Sequence, residues 1–220
     1  METPQRNRSQ LASWGNWKVI LLFLTALGLL CGTGWIFLNK GLYLLPDKMC
    51  EGTLEQDTAK QVLPRARSAD SGSATQGSGD QLSFWCHVNT SNDSWLSGEA
   101  RVRPISRKDW LGSYQDSRGK NQIIRVSADG IEALAQINSE ANTSAVYVPC
   151  TPPVVPDYNA SQPYAVVGEA RVNGPARAKG LPLGQTLTDF AYQLTQHAYK
   201  LAECKAPRDF PKELPRYKDH

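Results

Sequence analysis

One run along this chain is apolar without a break. Residues 19–38, VILLFLTALGLLCGTGWIFL, carry no charge and no proline. As a helix they rise about 30 Å, the thickness of a bilayer's hydrocarbon core. Trp14, Trp17, Trp35 and Tyr43 lie near the two ends of the run, where amphipathic rings favour the headgroup layer. The pattern predicts a cytoplasmic tail over 1–17, a transmembrane helix over 18–39 and a juxtamembrane spacer over 40–49. A cleaved signal peptide has a shorter apolar stretch, about 7–15 residues, followed by a small-residue site; neither feature is present. Cys31 follows bulky Leu30 and reads as a small apolar residue of the helix.

Beyond the run the pattern becomes mixed. Residues 51–64, EGTLEQDTAKQVLP, place Leu54, Thr58, Val62 and Leu63 near one face of a short helix that Pro64 stops. Residues 65–81 are rich in Ser, Gly and Asp and predict a flexible loop. LSFWCHV (82–88) and SWLSGEARVRP (94–104) alternate with a period of two and predict a strand pair joined by the turn NTSND. In the second, Leu96, Gly98, Ala100 and Val102 face inward. QIIRV (122–126), SAVYVPC (144–150) and YAVVGEARVNG (164–174) are further strands. GIEALAQI (130–137) fits helix and strand equally. Residues 187–203 carry Leu187, Phe190, Ala191, Leu194, Ala198, Leu201 and Ala202 at helical spacing, with Thr186 and Asp189 as a capping box. The tail, 205–220, is proline-spaced and charged, and is expected to be mobile. The fold class expected is α+β: one transmembrane helix, then a small disulfide-stapled extracytoplasmic domain over 50–204, with an antiparallel sheet and a C-terminal amphipathic helix.

The pentapeptide GEARV occurs twice, at 98–102 and 168–172. Duplication, pairing and coincidence all remain open. If the copies pair antiparallel with Ala100 opposite Ala170, Glu99 faces Arg171 and Arg101 faces Glu169. Such cross-strand charge pairs contribute about 0.2–1 kcal/mol each. The alternative is two separate strands with solvated outer faces.

Cysteine sharpens the topology. Outside the apolar run lie Cys50, Cys86, Cys150 and Cys204, an even set that fits two disulfides in an oxidising compartment. Of the three pairings, Cys50–Cys86 with Cys150–Cys204 is favoured because each bond then staples one half of the domain. Zinc needs closer ligand pairs, and none occurs. Arg6, Arg8 and Lys18 precede the run while Lys40 and Lys48 follow it, which favours a cytoplasmic N-terminus. The net charge of +3 lies wholly in residues 1–40. The balanced remainder lacks the footprint of a nucleic-acid binder.

Little in the chain points to catalysis. His197 lies on the apolar side of the last helix, His87 follows Cys86 in a strand, and His220 ends the tail. No metalloprotease, nucleophile-elbow or phosphate-loop motif occurs. SRGK (117–120) matches S-x-x-K without its companions. Glu99 and Glu169 each have an arginine two residues on, which favours salt bridges over paired acid–base chemistry. Asn89, Asn92, Asn142 and Asn159 head N-x-S/T triplets, with no glycan inferred. No catalytic, cofactor or metal site is assigned.

CEGTL (50–54), the strand AVYVPC (145–150) and the late LTDFAYQLTQHAYKLAEC (187–204), arranged behind one span, resemble actinobacterial membrane-anchored or secreted proteins of unknown function. The resemblance covers most of residues 47–204 and implies localisation only. The expectation is a membrane-tethered extracytoplasmic domain at the plasma membrane, binding a protein or envelope component. Its expected contact surfaces are the loop 151–163, the Trp95 and Trp110 region and the tail. The alternatives are a hydrolase-like envelope enzyme built from loops, and a structural subunit packed through Gly28, Gly32 and Gly34. Neither a cofactor nor nucleic acid is expected as a partner.

Overall fold

The computed structural model describes residues 9–38, 40–115, 122–137, 142–155 and 161–218. The S-x-x-K sequence at 117–120, Asn159, His220 and the middle of the loop 151–163 lie outside the described residues. The chain forms two units, residues 1–40 and 41–220.

In the first unit, helix α1 spans Ser9–Leu38. Its described side chains run from Trp17 to Gly32, with Gly34 beyond, and Leu22, Phe23, Leu29 and Leu30 are exposed. Thr25 satisfies its own hydroxyl against the carbonyls of Leu21 (2.7 Å) and Leu22 (3.0 Å). Among the described residues no helix is long and apolar enough to cross a membrane.

The second unit begins earlier than the pattern suggested. The 40–49 segment is no spacer: Leu42, Leu45 and Met49 are buried in the core. Strands β1 (Lys48–Met49) and β2 (Leu54–Glu55) form a miniature hairpin. Cys50 and Glu51 sit at its turn with φ of 52° and 57°, and Thr53 Oγ1 donates to the Cys50 carbonyl at 2.8 Å. Helix α2 is shorter than expected, Gln56–Val62. It turns Ala59 and Val62 inward, and Leu63 before Pro64 is extended, as the proline ring demands.

The 65–81 segment is not a flexible loop at its centre. Ala69–Gln76 is strand β3, paired antiparallel along its whole length with β4 (Ser83–Thr90). Its polarity misleads because it lies at the sheet's edge and contributes little to the core. Then follow β5 (Trp95–Pro104), helix α3 (Arg107–Gln115), β6 (Gln122–Ala128), β7 (Ile131–Ile137), β8 (Thr143–Pro149), β9 (Tyr164–Asn173) and helix α4 (Gly180–Leu201). The ambiguous GIEALAQI is therefore a strand. Among the described residues these strands form one antiparallel sheet, in the order β3-β4-β5-β9-β8-β7-β6. Two meanders, β3-β4-β5 and β6-β7-β8-β9, meet at a central β5–β9 seam.

That seam is where the two GEARV copies pair, two residues away from the expected register. Gly98 lies opposite Ala170, Glu99 opposite Glu169 and Ala100 opposite Gly168. Glu99 therefore does not face Arg171, nor Arg101 Glu169. The reason lies on the other face. This register gathers Gly98, Ala100, Gly168 and Ala170 into one saddle of small residues, and α4 lies in it. A Cβ on Gly98 would strike Leu194 and Phe190; one on Gly168 would strike Thr195 Oγ1 and stand 2.7 Å from the Ala191 carbonyl oxygen. In the charge-paired register each glycine would instead face a valine, Gly98 opposite Val172 and Gly168 opposite Val102. Core packing outweighs two exposed ion pairs.

Helix α4 starts at Gly180, about two turns before the expected 187. Thr186 and Asp189 make no capping box. Thr186 Oγ1 donates within the helix to the Pro182 carbonyl (3.0 Å), and Asp189 accepts from Gln185 (2.9 Å) and Arg216 (2.7 Å). The reciprocal cap occurs instead on α3, where Ser106 Oγ accepts from the Asp109 N–H (3.1 Å) and donates to its carboxylate (2.6 Å).

Disulfides join Cys50 to Cys86 and Cys150 to Cys204. The tail after Cys204 is packed rather than mobile. Phe210 lies between the rings of Tyr192 and Tyr199, and Leu214 and Tyr217 are buried. Tyr192 donates to the Pro211 carbonyl at 2.7 Å, Tyr217 pairs with Thr188 at 2.9 Å, and Arg216 bridges Asp189. The folded unit thus extends from Gly41 to the C-terminal segment, beyond the 50–204 expected.

Candidate functional site

The sheet's inner face is covered by α4, with α2 packed against that helix, but its outer face is covered unevenly. Helix α3 lies over the β7-β8-β9 side, where Trp110 packs with Leu134, Ala145, Tyr147, Ala165 and Val167. Trp110 is only 1% exposed. The expected Trp95–Trp110 contact surface is therefore corrected: Trp110 is core, and Trp95 belongs elsewhere.

Outer positions of β4, β5 and β9 fall into rows fixed by the register. One row runs Trp85, Glu99, Glu169; the next His87, Ser97, Arg171; the third Asn89, Trp95, Asn173. All of these but Asn173 line an open concavity of about 500 Å³. Trp85 and Trp95 stand 41% and 46% exposed at its diagonal corners. Four residues of strand separate their rows, about 14 Å. His87 stacks beside Trp85, ring centroids 5.5 Å apart and planes 20° from parallel. The imidazole leans over β3 at Gly72, where a Cβ would come within 2.8 Å of its Cε1. Glycine in that edge strand thus makes room for the histidine.

The two carboxylates face each other across the seam, yet each has its own partner. Glu99 accepts from Ser83 Oγ at 2.7 Å and is paired with Arg101. Glu169 accepts from Tyr114 Oη at 2.8 Å. Burial, with the Glu169 charge beside it, pushes the Tyr114 phenol far above its ordinary value of 10, so it remains a donor. Opposed carboxylates are the pair used in glycoside hydrolysis. Here the carboxylates are tied to neighbours, and the salt-bridge expectation holds for Glu99 but not for Glu169. Other groups are unengaged. Among the described residues no hydrogen bond or ion pair occupies the side chains of His87, Ser97 or Arg171, or the indole N–H of Trp85 or Trp95. The concavity thus offers two flat aromatic surfaces with donors and acceptors between them.

The remaining candidates lie apart. His197 is on the inner side, packed on Phe84 (4.5 Å) with Nε2 3.1 Å from a Glu51 carboxylate oxygen. Asn92 Nδ2 donates to the Arg65 carbonyl (2.6 Å), and Asn89 donates to Asp70 (3.3 Å). In the loop 151–163, Val154 is exposed. Among the described residues no three His, Cys, Asp or Glu side chains converge as metal ligands. The residues missed from sequence are Trp85, Ser97 and Arg171. Trp85 and His87 were legible as neighbours on one strand face, but the others join them only through the β5–β9 register. Comparison with known protein families, curated proteins and solved structures finds no match.

Proposed function

We propose that the chain is a membrane-tethered extracytoplasmic binding domain whose contact surface is the outer-face concavity between Trp85 and Trp95. The tether is the segment 19–38. What supports it is the uncharged sequence of residues 19–38, which lies within the helix Ser9–Leu38, and the apolar residues on every face over 19–32, a distribution that suits lipid better than water. Two disulfides within residues 41–220 support an extracytoplasmic, oxidising side for that unit. The N-terminus is then cytoplasmic, as the Arg6, Arg8 and Lys18 flank favours.

The binding assignment is carried by one observation: two tryptophans held rigidly on adjacent strands and left exposed around unengaged polar groups. Indoles are costly to leave in water, and a sheet that needed only stability could cover or replace them. Strand placement holds such groups more firmly than a loop does. The test is photo-crosslinking in the native membrane from a benzophenone side chain placed at Ser97, with Val154 as the control position. The expected result is a discrete adduct from position 97 alone, on a chain that resists alkaline carbonate extraction. Release by carbonate refutes the tether, and an empty crosslink at 97 refutes the binding face.

A further inference from the structure

The geometry points to a neutral, extended oligosaccharide as the occupant of the Trp85–Trp95 concavity. This rests on the binding reading above and adds the ligand's chemistry. A pyranose ring has a flat C–H face and a hydroxyl rim. It stacks on an indole through the face and needs hydrogen-bonding side chains around the rim. Both are present and alternate in the required way. Trp85 and Trp95 are the stacking surfaces, and the floor between them carries Ser97, the His87 imidazole and the Arg171 guanidinium, with no hydrogen-bond or ion-pair partner among the described residues.

Spacing and charge narrow the class. The rows of the two indoles lie about 14 Å apart along the strands, the reach of a short linear chain of sugars rather than of one ring. The face carries Glu99 and Glu169 against Arg101, Arg103 and Arg171, so no single sign dominates. A polyanion needs a basic track to neutralise it, and here carboxylates interrupt the arginines. A protein partner is less well suited. Protein interfaces centre on a dry apolar cluster that the rim shields from water, whereas the centre here is polar and the apolar groups stand at the corners.

The experiment is isothermal titration of the full chain in lipid nanodiscs with three probes: cellohexaose, chitohexaose and a sulfated heparin hexasaccharide. Tryptophan fluorescence is followed in parallel. A neutral hexasaccharide is expected to bind with affinity insensitive to salt. Trp85→Ala and Trp95→Ala should each weaken it about tenfold, and Trp85→Phe less. Both tryptophans are exposed, so these variants should keep the near-ultraviolet circular dichroism of the folded unit and both disulfides. Arg171→Gln should weaken binding without making it salt-dependent. Binding of the heparin probe alone, with steep salt dependence, overturns the inference. So does failure of both neutral probes at millimolar concentration. If those probes fail while the position-97 crosslinker captures a protein, the binding face stands and the saccharide assignment falls. If the crosslinker also captures nothing, both fall.

Discussion

Replacing Gly168 by alanine places one methyl group between the centre of the sheet and α4. The new Cβ runs into Thr195 Oγ1 and lies 2.7 Å from the Ala191 carbonyl oxygen. Neither neighbour yields easily. Ala191 O is helix backbone, and Thr195 Oγ1 is held by its own 2.7 Å hydrogen bond to that carbonyl. Overpacking of this kind costs about 1–3 kcal/mol, partly offset by about 0.5–1 kcal/mol from the lost conformational freedom of glycine. At Gly98 the added methyl meets the ends of Leu194 and Phe190, which can rotate. Gly168→Ala should therefore destabilise by about 2 kcal/mol and Gly98→Ala by about half as much. Gly112→Ala, in α3 with nothing within 4 Å of the new methyl, should stabilise by up to about 1 kcal/mol. The assay is urea unfolding of the full chain in detergent micelles, followed by near-ultraviolet circular dichroism. In a thermal melt, a loss of 2 kcal/mol corresponds to about 4–8 °C for a domain of this size. If Gly168→Ala unfolds at the wild-type midpoint with an unchanged slope, close approach of α4 does not set the seam's register, and the explanation for the GEARV pairing fails.

Three further outcomes follow from the same packing. Opening Cys50–Cys86 or Cys150–Cys204 by serine substitution should cost about 4 kcal/mol each in the chain-entropy picture, since the bonds close separations of 36 and 54 residues; alkylation of the chain unfolded in dodecyl sulfate without reductant should modify Cys31 alone, and labelling of any other cysteine contradicts the assignment. Trp110→Ala should lose about 3–5 kcal/mol, while Trp85→Ala and Trp95→Ala should leave the urea midpoint nearly unmoved; equal losses at all three positions would mean the outer-face tryptophans are structural. Burial pushes the Tyr217 phenol well above its ordinary value of 10. Above pH 10 the unfolded chain therefore loses a proton that the folded chain keeps, and stability should fall by about 1.4 kcal/mol per pH unit from this group. Tyr217→Phe should make that decline shallower, and an identical slope in the variant would refute it.

The alternation in β5 was readable because each strand residue answers only to its own side, and Leu96, Gly98, Ala100 and Val102 do turn inward. The register was not, because it is decided by a contact between positions far apart in sequence. The outer charges favour one alignment and the small inner residues another, and the weight of the second appears only once α4 lies across it. Strand β3 was hidden by its composition: ADSGSATQ at a sheet edge buries too little to show a period. The tail was misread for a related reason. Phe210, Leu214 and Tyr217 are widely spaced among prolines and charges, and their apolar partners are exposed by α4 rather than by any local pattern. The candidate site divides the same way, with Trp85 and His87 visible as one strand face and Ser97 and Arg171 brought to it by the seam.

The seam also bears on how the chain reaches this state. Its two meanders are each local in sequence, whereas β5 and β9 meet across about 70 residues. Pairings of such long range close late, after the local hairpins. Neither disulfide crosses the join: Cys50–Cys86 fastens the leading segment to β4, and Cys150–Cys204 fastens the end of β8 to the end of α4. Oxidation can therefore complete each half while the halves are still apart. A fully and correctly oxidised chain retains the freedom to take its second half from another molecule. Exchange between copies is the misassembly to which this architecture is most open, and no reshuffling of its disulfides would repair it.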